Sequence, residues 1–324
     1  MDSQAIFNIQ SANDFEEVAL EVFILQYKKN KTYQEFCNHL GRTPKEVTAV
    51  SDIPFLPIEF FKSRKIVCSA DAEDIIFSSS GTTGSVTSKH YVTDLGVYKQ
   101  SFRQGFTHFY DDIKDYTVLA LLPSYLERTG SSLIYMANDM IEQSGAKESG
   151  FYLHNIDQLA YQLKELDNSG KKVLLIGVSF ALLDLVEKHK FDLKNTIIME
   201  TGGMKGRRKE LIRNELHQML CHGFGVDSIH SEYGMTELLS QAYSKDDGVF
   251  GCPPWMKILI RDPEDPLSLL PAGKSGGLNI VDLANLNSCS FIATQDLGKL
   301  HGEGFEVIGR FDHSDIRGCN LMVL

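Results

Sequence analysis

The N-terminal part of the chain carries apolar positions at helical spacing. Residues 13–29 open with an Asn13 and Glu16 pair that resembles a capping box, and apolar side chains recur through the segment. Residues 43–46, TPKE, combine a capping residue, a proline at the first helical position and a glutamate three residues after the cap, so they predict a second helix start. Residues 52–63, DIPFLPIEFFKS, place two prolines in an apolar run and are predicted to be extended and packed on the core.

Continuous apolar runs alternate with helical stretches through the middle of the chain. Strands are predicted over residues 74–77, 89–93, 116–124, 171–180 and 195–203, with a short strand and loop over 226–237. Helices are predicted over residues 98–109, 156–167, 181–188 and 205–220. Buried strands that alternate with helices predict an α/β fold, in which a parallel sheet is covered on both faces. From about residue 250 the pattern changes to short strands with turns, which predicts a β-rich subdomain.

Composition narrows the class of protein. The 324 residues are 43% hydrophobic and 23% charged, as in ordinary globular enzymes, and the net charge of −11 argues against a nucleic-acid or anionic-membrane binder. No apolar run reaches the roughly 20 residues of a membrane-spanning helix, and the N-terminus lacks the basic and apolar regions of a secretory signal. Six scattered cysteines without a C-x-x-C pair predict free thiols and a cytoplasmic protein.

The stretch FSSSGTTGSVTSKH, residues 77–90, lies between two of the predicted strands. Glycine lets the backbone approach a ligand closely, and hydroxyl and amide groups donate to phosphate oxygens. The stretch is neither a P-loop, since no Lys-Ser/Thr pair follows its second glycine and a strand comes next, nor a dinucleotide G-x-G-x-x-G loop. These residues fit both a hairpin that wraps a polyphosphate and a plain polar β-turn.

Other motifs favour the phosphate interpretation. Four segments occur in the order of the adenylate-forming superfamily: SSSGTTG, EYGMTE, TQDLG and GRFD. Three more resemble its acyl-protein synthetase branch, the fatty-acid ligases of bacterial bioluminescence, which are related to phenylacetate–CoA ligases: DIPFLPIEFFKS, LLPSYLERTGSSL and TGGMKGRRKE. The resemblance implies an adenylate-forming large domain over residues 1–308, with its β-rich part from about residue 250. It also implies that the family's C-terminal lid domain is absent or reduced to a hinge-like stub, residues 309–324.

The resemblance further implies a site for ATP and Mg²⁺. The phosphate-loop residues would donate to the β- and γ-phosphates: Ser79, Ser80, Gly81, Thr82, Thr83 and Gly84. Thr236 would contact the α-phosphate, and Glu237 would hold Mg²⁺, a hard cation suited to carboxylate oxygens. The nucleoside would be bound by Gly202, Gly203, Tyr233, Gly234, Asp296 and Arg310, with the tyrosine on the adenine and the last two residues at the ribose.

The chain departs from the superfamily pattern at two places. Thr87 stands where the phosphate loop usually ends in a lysine, and Lys89 follows two residues later, which puts a lysine contact to phosphate in doubt. The catalytic lysine of the superfamily belongs to the lid domain, whose counterpart is not identified in this sequence. Three histidines are possible bases, but no role is assigned to His90, His230 or His313 because a lone histidine is more often structural.

The expected reaction ends on a thiol. Acyl-protein synthetases pass the acyl group from acyl-AMP to a cysteine near their own C-terminus, and Cys319 stands in that position, although a buried tail cysteine fits as well. The expectation is ATP-dependent activation of a long-chain fatty acid, thioester formation on Cys319 and delivery to a protein partner. One alternative is a ligase whose acceptor is coenzyme A or a carrier-protein thiol. Another is a non-catalytic, nucleotide-binding partner subunit.

Overall fold

The computed structural model describes residues 1–69, 72–79, 86–122, 130–152, 155–202 and 211–311. The α-helices of this part are α1 Gln4–Phe7, α2 Ala12–Lys29, α3 Lys31–His39, α4 Phe60–Ser63, α5 Leu95–Tyr110, α6 Ser132–Ser144, α7 Ile156–Asn168, α8 Ser179–Lys188 and α9 Arg213–Phe224. Its strands are β1 Leu56–Pro57, β2 Ile75–Ser78, β3 Lys89–Val92, β4 Thr117–Leu121, β5 Gly150–Phe151, β6 Val173–Gly177, β7 Thr196–Thr201, β8 His230–Tyr233, β9 Ala242–Ser244, β10 Val249–Phe250, β11 Met256–Arg261, β12 Ser275–Asp282, β13 Phe291–His301 and β14 Gly304–Arg310.

A six-stranded sheet forms the first half of the fold, in the order β5-β4-β6-β7-β8-β9. All neighbours are parallel except β8 and β9. Every residue of β4 and of β6 is buried, which explains why both strands are continuous apolar runs in the sequence. The predicted parallel sheet with covering helices is confirmed.

A second six-stranded sheet carries the β-rich part, in the order β10-β14-β13-β12-β11. These pairs are antiparallel, and the short β1 joins β13 in parallel. The register between β13 and β14 shifts at Leu297 and Gly298, which distorts the sheet there. Strand β14 continues to Arg310, past the predicted boundary at residue 308, and residues 312–324 lie outside the described part, so the division into two units stays a prediction.

A two-stranded hairpin stands apart from both sheets. Strands β2 and β3 pair antiparallel, with Phe77 opposite His90, and they flank the predicted phosphate loop in the sequence. The buried Phe77 ring packs edge-on against Tyr98 of α5 and Tyr135 of α6, while the Ser78 amide donates to the Gly130 carbonyl at 2.8 Å. These contacts fix the hairpin on the helices that cover the parallel sheet.

Asp282, at the end of β12, joins the two sheets. Its carboxylate is completely buried and accepts from the amides of Leu239 and Ser240 at 2.8 and 3.0 Å, from the Ser240 hydroxyl at 2.5 Å and from the Ala284 amide at 3.2 Å. Several donors can hold a buried carboxylate that would be costly to bury alone. The loop between β8 and β9 is therefore anchored to the antiparallel sheet.

Several details of the predicted elements were wrong. Residues 60–63, predicted to be extended, form α4, and residues 179–180, predicted to end a strand, begin α8. The capping box of α2 is formed by Ser11 and Asp14, two residues earlier than predicted. Residues 43–46 form an isolated turn. The Glu46 carboxylate accepts from the Thr43 amide at 3.0 Å, as in a capping box, but no helix follows. Helix α9 begins at Arg213, so residues 211–212, which were predicted to be helical, are not. Helix α6 was not predicted from the sequence.

The buried carboxylate at the junction provides a test of the fold. Replacing Asp282 by alanine should lower the free energy of unfolding by about 3 kcal/mol or more, because several buried donors lose their acceptor. The midpoint of urea unfolding measures the loss. The matched control is Asp192→Ala, whose carboxylate is 80% exposed and should leave the midpoint unchanged. Equal midpoints for the two variants would contradict the anchoring role.

Candidate active site

The candidate site lies where β7 and β8 of the parallel sheet end. The carboxyl ends of parallel strands are where such sheets bind ligands. Gly202 follows β7 with a φ of +72°, a conformation that favours glycine, and its carbonyl accepts from the Ser179 hydroxyl at 2.6 Å. Residues 234–241 connect β8 to β9 and run along the antiparallel sheet. We call this segment the junction loop.

Tyr233, the last residue of β8 before the junction loop, reaches the antiparallel sheet. Its hydroxyl donates to Asp296 Oδ2 at 2.8 Å, and Arg310 Nε donates to Asp296 Oδ1 at 2.9 Å. Asp296 is 7% exposed, whereas the Arg310 side chain is 71% exposed. The Tyr233 ring packs edge-on against Phe305, and burial raises the pKa of its hydroxyl well above the usual range. Three predicted nucleoside contacts thus form one hydrogen-bonded chain.

The Thr236 and Glu237 backbone is held by side chains from two other elements. His90 Nδ1 lies 2.8 Å from the Thr236 carbonyl oxygen, and Asn285 Nδ2 donates to the Glu237 carbonyl at 2.7 Å. Both histidine and asparagine are buried. The peptide planes on either side of Glu237 are therefore fixed by the hairpin and by the short 3-10 helix Leu283–Asn285.

The Glu237 carboxyl group is buried, and its surroundings have opposing effects on its pKa. Burial raises its pKa, while the hydrogen bond from Ser88 and the positive charges of Arg310 and Lys62 act in the opposite direction. Ser88 also donates its amide to the Ser79 hydroxyl at 2.9 Å, at the edge of the predicted phosphate loop. The carboxylate is thus placed beside the hairpin, where an added cation would stabilise its charged form.

A second acidic side chain, Glu232, lies beneath the junction loop. It accepts from the Thr201 hydroxyl of β7, and a Cβ atom at Gly234 would come within 2.4 Å of its Oε1. Burial, together with the nearby Glu200, raises the pKa of Glu232 to about 7. A side chain at position 234 would therefore force the buried Glu232 carboxyl group to move.

The structure tests the position of only part of the predicted residue set. It brings together Tyr233, Gly234, Thr236, Glu237, Asp296 and Arg310, with Ser79 at the hairpin and Gly202 at the end of β7. The remaining predicted residues lie outside the described part of the chain: Ser80, Gly81, Thr82, Thr83, Gly84, Gly203 and Cys319. Lys89 is described and is exposed on β3. The ligand contacts of all these residues remain predictions.

Sequence analysis assigned no role to three residues that build the site. Ser88 and His90 lie within the stretch first noted for its phosphate-binding composition, so position alone could have drawn attention to them. Asn285 gave no signal, because it is 48 residues from Glu237 in the sequence and meets it only through the fold. Each acts on the backbone or carboxylate of the junction loop.

Comparison with known proteins places the chain in a family. The LuxE family profile, described as acyl-protein synthetase, matches residues 6–101 and 142–324. The chain belongs to the LuxE acyl-protein synthetases. This confirms the predicted family and places the chain among AMP-forming acid–thiol ligases, which activate a carboxylic acid as acyl-AMP and transfer the acyl group to a thiol. Neither alternative, an external-thiol ligase or a non-catalytic subunit, is favoured.

Individual relatives agree with the LuxE assignment. A long-chain-fatty-acid–luciferin-component ligase of Vibrio harveyi is 25% identical over 320 residues, covering 91% of this chain and 83% of that protein. A 2-hydroxyisobutyryl-CoA ligase with bound 2-HIB-AMP has a TM-score of 0.72 at 12% identity, covering 94% of this chain and 69% of that one. ATP-bound MatB from Rhodopseudomonas palustris has a TM-score of 0.55 at 19% identity, over 74% of this chain and 48% of MatB. The two structures support the fold alone.

The described part of the chain carries neither a membrane-spanning helix nor a cluster of metal-binding side chains. Within the described residues, no helix combines the length and apolar character needed to cross a bilayer. Nor does any group of three or more His, Cys, Asp or Glu side chains there have the arrangement of a metal site.

The raised pKa of Glu232 predicts a pH dependence of stability. The folded protein holds this proton up to about pH 7, whereas the unfolded chain releases it near 4.5, so stability should fall as pH rises between these values. Glu232→Gln removes the titrating group and should flatten this part of the stability curve, by at most ~1.4 kcal/mol per pH unit. Urea unfolding of both proteins from pH 4.5 to 8 measures the difference. Parallel curves would contradict the assignment.

Proposed function

We propose that this LuxE family member activates a long-chain fatty acid with ATP and Mg²⁺ and carries the acyl group on Cys319 to a protein partner. The observation that supports the proposal best is the chain formed by Tyr233, Asp296 and Arg310. It brings residues from both sheets, matched to separate superfamily motifs, into contact at the carboxyl edge of the parallel sheet. The fatty-acid substrate and the protein partner are suggested by the name of the Vibrio harveyi relative.

In this proposal the nucleotide spans the hairpin and the junction loop. Asp296 and Arg310 would bind the ribose, and Tyr233 would face the adenine beside Gly202 and Gly203. The phosphate loop, residues 79–84, would donate to the β- and γ-phosphates. Asp296 already accepts from Tyr233 and Arg310, yet each carboxylate oxygen has a further lone pair for a ribose hydroxyl.

The residues present fit a magnesium ion. Glu237 is a buried carboxylate next to the hairpin, and its charged form is only partly compensated by Ser88 and by distant positive side chains. Mg²⁺ commonly binds one or two protein carboxylates together with substrate phosphates. When bound, it would neutralise charge on the phosphates. Glu237 would hold it, and Thr236 would orient the α-phosphate with its hydroxyl.

The adenylation step requires positioning rather than a nucleophilic side chain. A carboxylate oxygen of the acid attacks the α-phosphorus, the bond to the β-phosphate oxygen breaks, and pyrophosphate leaves with the electron pair. Donors from the hairpin stabilise the departing phosphates. The Thr236 hydroxyl contributes a donor to the α-phosphate oxygens, where negative charge accumulates.

The transfer step would use Cys319. Its thiolate sulfur attacks the acyl carbon of acyl-AMP, the carbon–oxygen bond to phosphate breaks, and AMP leaves with the electron pair. Arg317 lies two residues away in the sequence and would favour the thiolate by charge. The five described cysteines are all free, which supports a reducing, cytoplasmic location for a thioester-forming enzyme.

Self-acylation is the first prediction of this proposal. Incubation with Mg-ATP and a mixture of fatty acids should add one acyl mass to the intact protein, and hydroxylamine should remove it. Cys319→Ala should abolish the adduct and leave pyrophosphate release intact, because adenylation precedes transfer. Intact-protein mass spectrometry measures the adduct, and its mass gives the chain length of the acid.

The half-exposed Cys221 provides a matched control, since Cys221→Ala removes a thiol without removing the proposed carrier. This variant should gain the acyl mass to the same extent as the wild-type protein. Pyrophosphate release without any adduct would instead indicate an external thiol acceptor. The absence of both signals would contradict adenylation itself.

A second prediction concerns nucleotide binding. Replacing Asp296 by alanine should raise the KM for ATP about 10- to 100-fold, because the ribose loses its acceptors and Arg310 loses its partner. Steady-state pyrophosphate release at varied ATP measures the change. The control is Asp265→Ala, an exposed turn aspartate that bonds Ser268 in the same sheet region. An unchanged KM in Asp296→Ala would remove this residue from the nucleotide site.

A further inference from the structure

His90 has a place in the site that the superfamily motifs do not assign. It lies on β3, the strand that leaves the phosphate hairpin, and it is 1% exposed. Its ring packs nearly at a right angle to that of Phe61 of α4, at a centroid distance of 5.7 Å, which restricts the plane of the imidazole. In that orientation Nδ1 points at the carbonyl oxygen of Thr236, 2.8 Å away.

The hydrogen of this contact can be assigned from its partner. A carbonyl oxygen only accepts, so His90 must carry a hydrogen on Nδ1 and donate it to Thr236. Among the described residues, the other ring nitrogen, Nε2, has no hydrogen-bond partner, and neither has Oδ1 of Asn285. The bond to Thr236 is therefore the one direct hydrogen bond of the ring within the described part of the chain. The nearby Asn285 side chain adds a weaker interaction, which raises the pKa of His90 against the larger lowering effect of burial.

This bond connects two parts of the proposed ATP site. Strand β3 is the exit from the phosphate loop, and Ser88, two residues before His90, bonds both Ser79 and the Glu237 carboxylate. The carbonyl of Thr236 belongs to the same residue whose hydroxyl would meet the α-phosphate. The Thr236 carbonyl and the Glu237 amide belong to one planar peptide group, so His90 also sets the direction of the Glu237 amide.

We propose that His90 is a positioning residue for adenylation, which holds Thr236 and Glu237 at the correct place relative to the phosphate hairpin through its Nδ1 hydrogen. The proposal rests on the proposed function, since it needs Thr236 and Glu237 to act on ATP. His90 itself touches neither substrate nor metal in this arrangement. Its effect should appear in the turnover of bound ATP, because misplacement by about 1 Å can slow a positioned reaction about 100-fold.

Two amide variants separate the ring nitrogens. The side-chain nitrogen of asparagine reaches about as far from the backbone as Nδ1 of histidine, and that of glutamine reaches about as far as Nε2. His90→Asn should therefore keep the kcat of pyrophosphate release within about 3-fold of the unmodified protein, whereas His90→Gln and His90→Leu should lower kcat about 10- to 100-fold. The KM for ATP should change less than kcat in the last two variants, and melting temperatures of all three should be compared.

The tautomer provides a second measurement that is independent of catalysis. Nitrogen-15 spectra of histidine-labelled protein, with His90 assigned by its loss in His90→Asn, should show a protonated Nδ1. A ring protonated only at Nε2 would overturn the proposal whatever the activity. Equal losses in His90→Asn and His90→Gln, full activity in His90→Leu, or losses that simply follow melting temperature would overturn it as well. If the wild-type protein releases no pyrophosphate, the proposed function is wrong. The hydrogen bond from His90 to Thr236 is still tested by the nitrogen-15 spectra, and a ring protonated only at Nε2 would contradict it.

Discussion

The candidate site depends on how the junction loop is held between two sheets. Asp296 accepts a hydrogen bond from the hydroxyl of Tyr233, just before the loop. Asp282 accepts from two amides and a hydroxyl near the end of the loop. Between these anchors, His90 and Asn285 bind successive carbonyls. The loop itself has little regular structure, so its shape is determined by side chains from elsewhere. A loop determined in this way is preorganised without being part of either sheet.

The two acids around this loop illustrate how position sets chemistry. Glu232 lies on β8 next to Glu200 and Thr201, and burial with a like charge nearby raises its pKa to about 7. Burial raises the pKa of Glu237 as well, but the Ser88 hydroxyl and the positive charges of Arg310 and Lys62 act against this rise. Glu237 therefore has a donor and positive side chains that stabilise its charged form, whereas Glu232 lies beside a like charge and titrates near pH 7. Five residues of separation in sequence give two different environments because the chain turns from a strand into the junction loop.

Much of the fold could be predicted from local patterns, and much of the site could not. The buried strands β4 and β6 are apolar throughout, and this pattern identified them without any tertiary information. The motif residues Tyr233 and Asp296 were also identified from their sequence context. In contrast, the turn at residues 43–46 has the signals of a helix start but forms no helix, because a capping box satisfies only the first turn. The contacts of Asn285 with Glu237 join residues far apart in the sequence and leave no trace in local composition.

The short stretch of chain between the end of strand β14 and Cys319 has a consequence for the proposed acyl transfer. Arg310 pairs with Asp296 across the sheet, and the Phe311 amide donates to the Gln295 carbonyl at 2.8 Å, so the chain is tethered beside the proposed ribose site up to this residue. Cys319 follows eight residues later, a span of at most ~28 Å even if fully extended. In the proposed transfer, a thiol this few residues from the site would experience an effective concentration of acyl-AMP on the order of millimolar. The tether would therefore favour the enzyme's own cysteine over free thiols without requiring any binding surface for them.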